Sequence, residues 1–360
     1  MASTEIRIAV PSGPYSVTVG DSLADTLVER LRILDPTAIM FVSDSNVMPA
    51  HGDALAVELR QVAPLKIVNV PAGEASKSPD QLSRMYDMAF NEPALDRKAV
   101  VVALGGGMVG DLAGYFSATA LRGLRLVHVP TSLLAMVDSS IGGKTAINHP
   151  RGKNLIGAFH HPVSVYCDLG LLKTLPEREY RSALSEAIKC AVLGQPQFLG
   201  WLETGMDAVL RRDAAAVRHL VTTCIQFKGS VVEKDEFETG KDRIKLNLGH
   251  TLGHALETLL EGKMLHGEAV AIGLMAAMRI SGKHAALPLP AIKRVEGLIK
   301  RAGFETAIPA GIDDNALMRA LSTDKKRVGG NVKYVVCPRL GHALTMDVKL
   351  DAQLIKDMRG

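Results

Sequence analysis

Short β-branched apolar runs alternate with amphipathic stretches through the first half of the chain. Ala38–Ser43, Leu65–Val70, Ala99–Leu104 and Leu126–Val129 read as strands, and the segments between them carry helical patterns. Such alternation predicts a parallel sheet with helices on both faces. After Leu175-Pro176 the texture changes to long helical patterns rich in Ala, Leu and Met, with few strand signals before Val332–Cys337. The expected organisation is an α/β domain over residues 1–175 and a mostly α-helical domain over residues 176–360. The uncharged run Ala269–Met278, bracketed by Glu268 and Arg279, is about half the roughly 20 residues a bilayer span requires. It is expected as a buried helix, with no membrane partner. Pro288 and Pro290 mark a loop in the second half.

Composition narrows the class. With 360 residues, 47% of them hydrophobic, the chain is large enough for two domains and too apolar for a disordered or fibrous protein. Lys and Arg total 42 against 38 Asp and Glu, too even a balance for a general polyanion binder such as a nucleic-acid protein. Any strong anion site must be local. Cys167, Cys190, Cys224 and Cys337 are scattered without a CxxC pair, so reduced cytosolic thiols are expected rather than disulfides or a thiolate metal site. The opening MASTEIRIAV has no basic stretch leading into an apolar one, which points to a cytoplasmic protein without a secretory signal.

The strand-like Val100–Leu104 runs directly into Gly105-Gly106-Gly107-Met108-Val109-Gly110-Asp111, a glycine turn that opens a helix. Glycines let the backbone approach a pyrophosphate, and a helix N-terminus offers free N–H groups with positive partial charge. Gly105, Gly107 and Gly110 satisfy GxGxxG, a pattern that a tight turn without ligand also satisfies. A Rossmann-like site usually adds an acid about 20 residues on, yet no Asp or Glu lies between Asp111 and Asp138. Asp44, closing the strand Ala38–Ser43, is a substitute at the carboxyl edge of the sheet; its alternative role is to cap the following turn. Gly73-Glu74 with Lys77 supplies a third loop on that edge.

Further along, Gly142-Gly143-Lys144 and Gly152-Lys153-Asn154 place lysines beside glycines, as an anionic substrate needs; solvated loop lysines are the alternative. Leu246-Asn247-Leu248-Gly249-His250-Thr251-Leu252-Gly253-His254-Ala255-Leu256-Glu257 reads as a helix with two imidazoles at i, i+4, hence on one face. With His266 and a carboxylate such as Glu186, this suits zinc or a similar divalent ion with an open position. Ordinary hydrogen-bonded helix histidines, and a surface glutamate, are the plainer readings.

Taken in order, these pieces resemble the 3-dehydroquinate synthases, in blocks from about Asp44 to Lys326. The matching blocks include Pro71–Lys77, Gly105–Gly114, Pro130–Ala135, Val137–Thr145, Gly152–Phe159 and Ser185–Lys189. Asp235-Glu236, Asn247–Glu257, His266–Val270 and Asp324-Lys325-Lys326 follow. The resemblance implies a Rossmann-like N-terminal nucleotide-binding domain, a mostly α-helical metal-binding domain and an active site in the cleft between them. It implies Glu186, His250 and His266 as metal ligands, with His254 turned instead to the substrate phosphate. NAD is assigned to Asp44, Glu74, Lys77, Gly105, Gly106, Asp111, Thr131, Ser132, Asp138, Lys144, Lys153 and the stretch Leu171–Thr174. Substrate is assigned to Lys144, Asn154, Lys189, Lys228, Arg243, Asn247, His254 and Arg122, with one lysine of Lys325-Lys326.

The implied substrate is 3-deoxy-D-arabino-heptulosonate 7-phosphate, a small sugar phosphate, and the implied assembly is a homodimer. Arg243 and Lys228 are expected at its carboxylate, and Lys144, Arg122 and His254 at its phosphate. The expected cofactors are NAD and one zinc or cobalt ion. Ser132, Met136, Ala183 and Ser185 depart from the commoner family pattern without removing a ligand or a charge. They leave room for an amino-analogue synthase of secondary metabolism. A metal- and NAD-dependent polyol dehydrogenase, and a nucleotide- or metal-sensing binding protein, are the rival classes.

Overall fold

The computed structural model describes residues 3–194, 196–322, 327–328 and 331–359. The chain divides into two compact units, Met1–Pro176 with Lys228–Glu233, and Glu177–Phe227 with Lys234–Gly360.

In the first unit the elements run β1 (Thr4–Ile8), β2 (Tyr15–Gly20), α1 (Ala24–Leu34), β3 (Ile39–Asp44), α2 (Asp53–Arg60), β4 (Leu65–Val70) and α3 (Pro79–Phe90). They continue with β5 (Val100–Gly105), α4 (Gly107–Thr119), β6 (Arg125–Pro130), β7 (Lys144–His149), β8 (Gly152–Phe159) and β9 (Ser164–Asp168). Seven strands form one sheet in the order β1-β2-β9-β6-β5-β3-β4, parallel except for the β1/β2 pair. The central strands β3 and β5 are buried along their whole length and apolar but for the Ser43-Asp44 end of β3, because both faces are covered. Met40, Val42, Val101 and Ala103 pack with Leu82, Met85, Leu112 and Phe116 on one face. Ile39, Phe41, Val100, Val102 and Leu104 pack with Leu27, Leu31, Leu55 and Leu59 on the other.

From β3 the chain moves outward to β4, and from β5 it moves the opposite way to β6. The carboxyl ends of β3 and β5 therefore flank a topological switch point, where open α/β sheets bind ligands. Asp44 ends the first and Gly105 the second.

The four expected strands are present, Leu65–Val70 as expected and the other three with ends shifted by a residue, but Lys144 and Lys153 do not lie on loops. They stand on β7 and β8, an antiparallel ribbon. Gly142 and Gly143, at φ 101 and 67, turn the chain into it. Gly114 lets the ribbon lie on α4, since a Cβ there would overlap the Thr145 methyl.

The second unit contains α5 (Glu177–Ser182), α6 (Leu184–Leu193), α7 (Pro196–Leu210) and most of α8 (Ala214–Lys234). Then follow α9 (His250–Leu259), α10 (His266–His284), α11 (Leu289–Arg301) and α12 (Asp314–Ser322). It ends with strands β10 (Arg327–Val328), β11 (Asn331–Arg339) and β12 (His342–Lys349), and helix α13 (Ala352–Arg359). Lys228–Glu233 of α8 group with the first unit because Lys228 pairs with Asp138, Gly229 packs closely on Ile8, and Glu233 accepts from Ala9 N at 2.7 Å.

α10 is the central helix and packs against α5, α6, α9, α11, α13 and β11. The whole apolar run Ala269–Met278 is buried in it. Among the described residues no helix is long and apolar enough to cross a membrane. The continuous helix expected over the histidine block is broken: Arg243–Asn247 is a separate 3-10 turn, and α9 begins only at His250. Gly249 makes the break, with φ 81 and its carbonyl pressed against Gly273 of α10, where a Cβ would overlap it.

Candidate nucleotide and metal sites

In the first unit the glycine turn joins β5 to α4. Thr131 N donates to Gly105 O at 2.9 Å and Gly110 N to Gly106 O at 3.0 Å, leaving the N-terminal amides of a 13-residue helix at the sheet edge. A Cβ on Gly106 would meet Ser132 Oγ at 3.4 Å, so Gly106 and Ser132 border one another. Ser132 Oγ also accepts from Ala135 N at 3.2 Å. Across the switch point Asp44 is buried, and its Oδ1 accepts from Asn46 N at 2.8 Å and Val47 N at 3.1 Å. The turn-capping role is thus present, and it leaves the other oxygen of the carboxylate for a second task.

Lys77 is 4% exposed and joins three groups. Its ammonium lies 2.7 Å from Asp111, 2.5 Å from Asn154 Oδ1 and 3.6 Å from Glu74. Asn148 donates to Glu74 at 2.8 Å and accepts from Asn154 N at 2.9 Å, which holds Asn154 at φ 55. Burial pushes the Asp111 carboxyl up, against the opposing charge of Lys77. Asp138 receives Lys228 twice, at its backbone oxygen and at Oδ1, both at 2.7 Å. Residues assigned to NAD and to substrate are therefore bonded to each other here. Thr174 and Leu171 sit on the 3-10 turn Leu169–Thr174, where Thr174 Oγ1 meets His51 Nε2 at 2.6 Å. Lys144 and Lys153 are exposed on the ribbon, and Arg122 is exposed at φ 67 between Leu121 and Gly123, which also have positive φ.

In the second unit Glu186, His250 and His266 converge. Among the described residues they are the one set of three or more His, Cys, Asp or Glu side chains with ligand atoms within 4.8 Å of one another. Glu186 Oε1 lies 3.5 Å from His250 Nε2 and 3.6 Å from His266 Nε2, while Oε2 contacts the Lys189 ammonium. Donors bound at about 2.1 Å to a tetrahedral ion stand about 3.4 Å apart, so the spacing fits a zinc-sized cation. Both Glu186 oxygens are buried without a well-directed hydrogen bond, the state a bound cation relieves.

The approach depends on small residues. Gly267, next to His266, carries α10 against Ser182, the last residue of α5 just before the Glu186 helix, and a Cβ there would overlap the Ser182 carbonyl. His250 Nδ1 donates to Leu248 O at 3.3 Å and His266 Nδ1 to Glu257 Oε2 at 3.1 Å, so both Nε2 atoms face Glu186. Burial disfavours charge on both partners of the pair. Even so, Lys189 and His266 hold Glu186 down at about 2, and Glu186 with Glu257 hold the His266 imidazolium up at about 10. A divalent ion would replace that proton.

His254 stands apart from this set: it is exposed, and its ring centroid is 5.2 Å from that of His250 and 6.3 Å from that of His266. The i, i+4 pair therefore supplies one of the three converging side chains, because α9 turns His254 outward. Arg243 is buried, its guanidinium donating to Glu236 O and its N–H to Asp235 at 3.1 Å. Asn247 donates to Glu238 at 3.2 Å. Lys325 and Lys326 lie outside the described residues. The sequence reading gave no role to Glu257, Gly267 or Gly273. Glu257, seven residues after His250 and so on the same helix face, was the one with a periodic signal.

Comparison with known proteins matches two family models in tandem: 3-dehydroquinate synthase N-terminal over residues 67–182 and 3-dehydroquinate synthase C-terminal over 183–327. The 3-dehydroquinate synthase of Halalkalibacterium halodurans is 42% identical over 98% of this chain and 96% of its own. That of Desulforamulus reducens is 43% identical over 86% and 87%. A solved 2-deoxy-scyllo-inosose synthase complexed with carbaglucose-6-phosphate, NAD+ and Co2+ superposes with TM-score 0.91 at 26% identity, covering 99% of both chains. A 2-epi-5-epi-valiolone synthase from Streptomyces hygroscopicus with NAD+ and Zn2+ shares the fold, with TM-score 0.86 at 23% identity over 97% of each chain.

Proposed function

The chain belongs to the 3-dehydroquinate synthase family, and from that premise we infer its activity and the residues that perform it. It is a phosphate-eliminating lyase of the shikimate pathway that converts 3-deoxy-D-arabino-heptulosonate 7-phosphate to 3-dehydroquinate and phosphate, using NAD and a divalent metal ion. Bound NAD would supply a hydride acceptor and donor, and a bound metal ion would polarise a substrate hydroxyl, chemistry under which phosphate elimination and intramolecular aldol closure carry no net redox change.

The chain's own residues prepare these steps. The α4 amides and Gly105-Gly106 receive the NAD pyrophosphate, Asp44 reaches a ribose, and Glu74, Lys77, Asp111, Thr131, Ser132, Asp138, Lys144, Lys153, Leu171 and Thr174 make up the rest of the NAD site. Two of the three Lys228 donors go to Asp138, so its substrate role rests on the third. Lys144 and Arg122 supply positive charge for the phosphate, and Arg243, with its planar fork of donors, suits the carboxylate. Asn154, Lys189, Asn247 and His254 complete the substrate contacts. No separate catalytic base is required if the substrate's phosphate accepts the proton.

The observation that carries the metal assignment is the convergence of Glu186, His250 and His266. Zinc or cobalt as the ion, a homodimer and a cytoplasmic location belong to the same proposal, the last supported by four buried cysteines that form no disulfide. The test is phosphate release from 3-deoxy-D-arabino-heptulosonate 7-phosphate, with and without chelator, while NADH absorbance is followed. Chelator-sensitive phosphate release without NADH accumulation is expected. Accumulating NADH, or release indifferent to chelator, would contradict the reading.

A further inference from the structure

The two histidines that face Glu186 hold their rings in different ways. His250 is 11% exposed, and its Nδ1 donates to the backbone carbonyl of Leu248 at 3.3 Å, within its own chain segment. His266 is 30% exposed and begins α10. Its Nδ1 lies 3.1 Å from Glu257 Oε2, a side chain that is 10% exposed.

We propose that Glu257 is a positioning residue that sets the His266 imidazole for the metal, an inference that rests on reading Glu186, His250 and His266 as the ligand set. A neutral imidazole has one lone pair, and the partner of one nitrogen decides which nitrogen carries it. An ionised carboxylate accepts only, so Nδ1 keeps its proton and Nε2, 3.6 Å from Glu186, is the nitrogen left to give its lone pair to the ion. The negative charge of Glu257 also strengthens His266 as a donor. Glu257 follows His250 by seven residues on one face of α9, so the helix that presents one ligand also orients the other.

The full-length protein separates the two readings when E257M, E257Q and H250A are compared. Zn2+ affinity is measured by competition with a chromophoric chelator, Co2+ coordination by visible absorption, and the fold by circular dichroism. E257M is expected to bind Zn2+ about 10- to 100-fold more weakly with an altered Co2+ spectrum. E257Q, whose amide oxygen still accepts from Nδ1, should recover part of the loss. Should E257M not fold, E257A removes the same acceptor. Wild-type affinity and spectrum in E257M or its Ala substitute, alongside a metal-free H250A, would overturn the role of Glu257 and leave the ligand set standing. E257Q binding no better than E257M would also overturn a positioning role. Retention of Zn2+ by H250A would overturn the ligand set itself.

Discussion

In the first unit the charged residues around the glycine turn neutralise one another, Lys77 with Asp111 and Lys228 with Asp138. In the second unit Glu186 turns one oxygen to Lys189 and the other to two imidazoles that do not satisfy it. The nucleotide edge thus offers mainly backbone amides at a helix start, whereas the metal cluster offers side-chain donors drawn from three helices. An amide site is built by local turn geometry. A side-chain cluster is built by the distance between helices, which here is set by the glycines of α10.

The sharpest way to break this contrast is to add one methyl group to each unit. G273A forces a Cβ into the Gly249 carbonyl beside His250. It should cost about 3 kcal/mol or more by denaturant unfolding and abolish stoichiometric metal. G106A meets Ser132 Oγ at 3.4 Å with φ already at −76, so its fold should change by less than about 1 kcal/mol. Its NAD affinity should still fall about tenfold, because the methyl group occupies the phosphate approach. Equal stability losses in the two variants would erase the distinction.

Acid should separate the units next. His128, buried beside Gly110, is pulled down to about 4, first by burial and then by the neighbouring charge of His160. A histidine with a depressed folded value contributes stability that is complete above its unfolded value near 6.5 and is lost as pH falls toward 4. This costs the first unit about 2 kcal/mol between pH 7 and pH 5. Glu186 loses stability in the same direction but lower on the scale: held at about 2, its contribution is complete above about 4.5 and disappears as pH falls through 2. Urea unfolding of metal-free protein at the two pH values should show the loss in wild type and a flattened dependence in H128L. An unchanged slope in H128L would assign the acid sensitivity elsewhere.

The parallel sheet was legible because central strands buried on both faces leave apolar runs, Ile39–Val42 in β3 and Val100–Leu104 in β5, with shorter β-branched pieces in β4 and β6. The ribbon β7–β8 was not, because glycines, lysines and asparagines dilute its alternation and its pairing is fixed by Gly114 beneath it. At the candidate metal site the sequence nominated His250 and His266 by residue type and by resemblance. It gave no means of choosing between His250 and His254 from spacing alone, since both belong to one i, i+4 pair. The bend at Gly249 and the start of α9 at His250 decide which ring faces Glu186. Glu257 shares the helix face of His250, but that spacing alone does not tell a carboxylate acting through another side chain from an ordinary helix glutamate.

The most direct test of the ligand set is the metal content of H250A beside that of H254A, both purified in zinc and analysed by inductively coupled plasma mass spectrometry. The geometry predicts one ion per chain in H254A and none in H250A. Zinc lost from H254A and kept by H250A would contradict it.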